Sequence, residues 1–117
     1  MILDDIKNKL ESIDDNVYYG MADKNKADDE WNYIVFSRRT LDPSTNKTGY
    51  SDYFDVAIIR EDYIPEGIDE QVIKAMTEIK GMRLTDEGGE YGYTRKGNTN
   101  AVVELLVLHF VRARKNV

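Results

Sequence analysis

Ala101–Val111 reads AVVELLVLHFV, and the way this run sits decides the fold. It is apolar at nearly every position, so periodicity alone does not separate strand from helix. Its four valines, and the Lys96-Gly97-Asn98-Thr99-Asn100 turn before it, favour a strand paired with Tyr91–Arg95. As a strand it is apolar on both sides. Val103, Leu105, Val107 and Val111 fall on one side, and Val102, Leu106, Leu108 and Phe110 on the other. An antiparallel sheet with one wet face alternates instead. If two helices cover one side, the other needs a rolled sheet, a second sheet or a neighbouring subunit; otherwise it stays exposed as a patch.

Working outward, Pro65 and Gly67 lead into a helix with Val72, Ile73, Met76 and Ile79 as its buried stripe. Asp69 is the expected N-cap, Ile68 and Ile73 form a staple, and Gly81 supplies a left-handed end. Upstream, Tyr53–Glu61 and Trp31–Arg38 alternate as strands, joined by a long polar hairpin loop at Leu41–Ser51, LDPSTNKTGYS. Ile2, Ile6, Leu10 and Ile13 mark a first helix that Asp14-Asp15-Asn16 stops, and Val17–Gly20 is a short strand. Met82–Leu84 precedes an acidic turn with Gly88 and Gly89, and Arg112–Val117 is a basic tail expected to fray. The order α-β-β-β-α-β-β-β predicts an α+β fold, a mainly antiparallel sheet with two helices packed on one face, and a single domain over 1–117.

The chain has 117 residues, 41% apolar and 32% charged, which is a globular balance. With 16 basic and 22 acidic residues its formal charge is −6. That argues against non-specific nucleic-acid binding and against docking on an anionic membrane, although Arg112, Arg114 and Lys115 form a local basic patch. There is no cysteine, so disulfides and thiolate chemistry are excluded and a reducing compartment fits. Met1-Ile-Leu-Asp-Asp has no signal-peptide pattern, and Glu104 and His109 interrupt an apolar run already too short for a bilayer.

No motif names a reaction. His109 is the only histidine and has no spaced partner to make a metal site. No serine has a glycine-flanked nucleophile turn. The carboxylates cluster as Asp14-Asp15, Asp28-Asp29-Glu30 and Asp86-Glu87, which reads as solvated loop charge. Asp42–Asn46 opens like a calcium loop but has Lys47 where the glycine belongs and Tyr53 where the glutamate belongs. Gly88–Gly92 has no lysine and opens no helix, so it is no phosphate cradle. The eight tyrosines stand mostly beside Asp, Glu or Gly, which suits protein contact or sheet filling rather than nucleic acid. The expectation is no catalytic residue, no metal and no cofactor. The candidate subunit interface is Leu106, Leu108, Phe110, Tyr53, Tyr91 and Tyr93, and the candidate assembly loop carries Asp42, Asn46, Lys47 and Tyr50.

An amphipathic first helix, strands with a long polar tip, a Pro/Gly-entered helix, a Gly-rich hairpin and a Val/Leu strand ending in Arg112-Ala-Arg-Lys stand in that order. The layout resembles the small tail terminator and tail-completion proteins of long-tailed bacteriophages and prophages. The resemblance implies a non-enzymatic structural protein, a hexameric ring in the assembled state, capping the tail tube and joining it to the head. Its partners would be itself, the tail-tube protein and a head–tail connector protein, in the virion after synthesis in the bacterial cytoplasm. Two other readings stay open: a connector-completion protein, and a small protein- or ligand-binding regulatory module unrelated to phage. An enzyme would need His109 beside two carboxylates in a cleft.

Overall fold

A computed structural model describes residues 1–22, 31–43 and 49–115. Its elements are α1 (Ile2–Glu11), β1 (Val17–Tyr19), β2 (Tyr33–Pro43), β3 (Gly49–Glu61), α2 (Ile68–Thr77), β4 (Met82–Arg95) and β5 (Val102–Lys115). They build an α+β fold with one five-stranded sheet in the order β1-β2-β3-β5-β4. All pairings are antiparallel except β1 with β2.

The apolar run is the sheet's middle. β5 pairs with β3 on one side from Val103 to Lys115 and with β4 on the other from Val102 to Arg112, so most of its backbone groups have a ladder to join. Leu106, Leu108 and Phe110 face the helices, together with Ile34, Phe36, Phe54, Val56 and Ile58 from β2 and β3. α1 adds Ile6 and Leu10, and α2 adds Val72 and Met76, all fully buried. Burying each of these side chains contributes about 2 kcal/mol, which is what holds two short helices to the sheet. Neither helix has a side-chain cap on its N-cap residue. Asp4 and Asp5, and Asp69 and Glu70, offset this by placing negative charge in the first turns. Asp69 is therefore inside α2; the N-cap is Gly67, in a left-handed conformation.

An ion pair fixes the turn after α1 to the sheet. Arg60 reaches Asp14 at 2.6 Å and also donates to the carbonyls of Ile59 and Tyr33, with both charged groups largely out of water. The exposed Lys9–Glu78 pair at 3.5 Å between the helices adds little.

Three expectations need correction. The hairpin loop is not 41–51: Leu41, Asp42 and Pro43 pair with Asp52, Ser51 and Tyr50, so both strands run well past the expected ends. Arg112–Lys115 is no frayed tail, since it pairs with Asp52–Gly49 as the third strand of the same arm. The Gly88-Gly89 stretch is not a turn between two strands. β4 runs unbroken from Met82 to Arg95, with a register shift between Leu84 and Gly89. Gly88 takes φ 66° in this bulge, and a Cβ on Gly89 would lie 2.6 Å from the Val107 carbonyl oxygen. Gly81 is left-handed as expected, φ 83°, but lies beyond the C-terminus of α2. Asn46 and Lys47 of the expected assembly loop lie outside the described residues, as does the acidic run at 28–30.

Candidate functional site

The residue phase of the sheet separates the expected interface into three places. Leu106, Leu108 and Phe110 lie in the core beneath the helices, so they are not available to a partner. The double apolarity of β5 concealed which side the helices take. The opposite side carries Leu105 and Val107, cross-strand from Ile59 and Ala57, which pair in turn with Tyr33 and Val35. Tyr18 joins them edge-on to Tyr33, ring centroids 5.7 Å apart. Val35, Ala57, Leu105 and Val107 are half-buried, whereas Val103, Ile59 and Val111 are fully covered. Part of this face is thus covered, and the apolar strip that is left is narrower than the sequence implied. One signal could have identified the side: Ser37, Asp55 and His109 are the polar positions in the middle of three strands, and all share the phase of Leu105 and Val107.

Tyr53 lies on this outer face, under the guanidinium of Arg39 at 5.2 Å. Beside it is the densest charge network in the described chain. His109 is 6% exposed, with Nδ1 2.7 Å from Asp55 Oδ1 and Nε2 2.9 Å from Glu90 Oε2. Arg39, at the irregularity in β2, reaches Asp55 at 3.3 Å and Glu87 at 3.7 Å. Burial alone would lower the His109 pKa. The hydrogen bonds to Asp55 and Glu90 and the two negative charges outweigh it and hold the pKa above 6.5. The imidazolium donates from both nitrogens and offers no free lone pair to abstract a proton. His109 does stand beside two carboxylates, but the arrangement is a closed ion triad. No group of three or more His, Cys, Asp or Glu among the described residues is placed to hold a metal.

Tyr91 and Tyr93 stand on the helix side of the sheet but beyond the helices, and both are exposed. They share a shallow cleft with Tyr63, Ile64, Pro65, Glu66, Asp69 and Glu104. The Tyr93 hydroxyl donates to Glu104, and this bond raises the phenol pKa above 10. A second cleft, around Arg38, Arg39, Arg112 and Arg114, lies by the N-terminal end of α1. Arg112 and Arg114 both approach Asp52, at 3.9 and 3.4 Å, and Arg114 lies over the Tyr50 ring at 5.4 Å. Asp42 and Tyr50, expected in a loop, are strand residues of this arm. No protein-family model matches the chain, and no curated protein matches it either.

Proposed function

We propose that this protein is a non-enzymatic assembly subunit of a long-tailed phage or prophage, of the tail-terminator kind. Copies form a ring that caps the tail tube, stops its growth and receives the head through a connector protein. The observation that carries this reading is the apolar strip of Val35, Ala57, Leu105 and Val107, on a sheet face where no described helix lies. Such a strip gains stability when a partner covers it. Both helices pack on the opposite face, which leaves this strip free for a partner. The closed His109 triad gives no support to a catalytic alternative.

The test is to mix the purified protein with the tail-tube protein of the same gene cluster and follow tube length by electron microscopy. The expected result is tubes arrested at a defined length, with a ring at one end. Tubes that lengthen freely with no protein bound sink the proposal, and binding only to the connector moves the protein to the head side of the joint.

A further inference from the structure

Two clefts on the helix-bearing side of the sheet lie at opposite ends of β5 and carry opposite charge. At the Val102 end, Tyr63, Tyr91 and Tyr93 stand with Glu66, Asp69 and Glu104, and no cation among the described residues lines the cleft. The three tyrosines are 70%, 56% and 65% exposed, so their ring faces are open to a visitor. Glu104 is held in place, accepting the Ile64 N–H at 2.7 Å as well as the Tyr93 hydroxyl. Asp62 sets the direction of this segment. It is a non-glycine residue with positive φ, 69°, and its N–H is tied to the Val102 carbonyl at 2.8 Å. Strain of this kind persists where the surroundings enforce it, and here it turns the chain so that Tyr63 stands outward beside Tyr91 and Tyr93.

At the other end of β5, Arg38, Arg112 and Arg114 line a cleft whose one carboxylate, Asp52, is approached by both Arg112 and Arg114, while Arg39 at its edge is paired with Asp55 and Glu87. Arg114 is half-exposed in spite of its contacts with Asp52 and Tyr50. The excess of positive charge there is local, in a chain whose formal charge is −6. The two clefts cannot meet within one molecule, because Glu104 and Arg114 are about 33 Å apart along one extended strand.

We propose that a second copy of this chain docks end to end, its Arg38 and Arg114 seated in the tyrosine–carboxylate cleft of the first. This rests on the assembly reading above and names the contact between neighbours in the ring. A guanidinium stacks on a tyrosine face while donating to carboxylates at the rim, so three tyrosines backed by three carboxylates suit arginine better than an apolar anchor. Opposite charge at the two ends also penalises the like-end pairings, which gives the contact its direction. A head-to-tail contact of this kind uses both ends of every copy and closes a ring when the rotation allows.

The test uses two variants of the full chain, Arg38→Glu with Arg114→Glu, and Tyr63→Ala with Tyr91→Ala, all four positions being exposed. Their folds are checked by circular dichroism and melting, and association is read by sedimentation at protein concentrations up to on the order of 1 mM. The expected result is wild-type association that weakens from roughly 50 mM to 500 mM salt. Each variant alone should associate on the order of tenfold more weakly. Mixed together, the two variants should form a one-to-one pair and nothing larger, since each keeps one intact end. If both variants associate as the wild type does, the docking is overturned while the assembly reading stands. If the wild type stays monomeric throughout, the docking is likewise overturned, and the tube experiment alone judges the assembly reading.

Discussion

Both ring nitrogens of His109 end on carboxylates, so this residue contributes as a cation held between β3 and β4 rather than as a base. The groups facing it are Asp55 from β3 and Glu90 from β4, with Arg39 of β2 bonded to Asp55 and to Glu87. Its pKa is higher folded than the 6.5 of a free imidazole. The stabilisation is therefore complete below about pH 6.5 and is lost as the pH rises through the folded value. His109→Gln removes the charge while keeping a polar side chain. It should cost about 2 kcal/mol at mildly acid pH, the scale of a charge-assisted hydrogen bond pair with one exposed partner. Urea unfolding of both proteins from about pH 5.5 to about pH 9.5 should show the gap closing at the alkaline end. A gap independent of pH would mean that the imidazole is neutral and the clamp is only a shape.

At the scale of elements, the hairpin of β4 and β5, the stripe of α2 and the apolar phases of β2 and β3 were legible because each is written in burial. What was not legible is held by backbone pairing instead. A ten-residue helix spans about 15 Å, whereas a fourteen-residue strand spans about 46 Å, so α1 and α2 cover only the middle of β5. Beyond them the core-side phase turns polar, at Arg38, Asp52, Glu104 and Arg112, and strand residues read as loop or tail. The candidate site was half legible for the same reason. Tyr91 and Tyr93 do lie at an open surface, but Leu106, Leu108 and Phe110 could not be told from Leu105 and Val107 by apolarity. The β4 bulge was hidden too, since Asp86-Glu87-Gly88-Gly89 has turn composition. Its glycines make a sharp pair of predictions. Gly89→Ala would drive a Cβ into backbone at 2.6 Å and should cost about 2 kcal/mol, the scale of overpacking. Gly92→Ala has open space and no positive φ, and should be neutral or stabilise by about 0.5 kcal/mol through the unfolded chain. Equal melting shifts for the two would mean that the strand does not approach β5 so closely.

For the whole molecule, the two sides of β5 differ: one builds the fold, and the other carries the apolar strip that the proposed assembly would bury. Neighbouring residues on one strand can separate these roles, because a single step along the chain changes the face. Leu108 is 4% exposed and packed in the cluster beneath the helices. Val107, beside it, is half-buried on the uncovered face and pairs with Ala57 and Glu90. An aspartate at Leu108 would bury an unpaired charge, costing several kcal/mol by desolvation and roughly the whole stability of a domain this size. An aspartate at Val107 keeps access to water and should cost about 1 kcal/mol. Its effect on assembly should be far larger than its effect on folding, because a carboxylate in the centre of the apolar strip must be desolvated when a partner covers it. The expected outcome is a Val107→Asp protein with a nearly wild-type melting curve that no longer arrests tail-tube growth, next to a Leu108→Asp protein that does not fold. Full arrest of tube growth by Val107→Asp would remove the uncovered face from the assembly and leave the end-to-end contact to explain it alone.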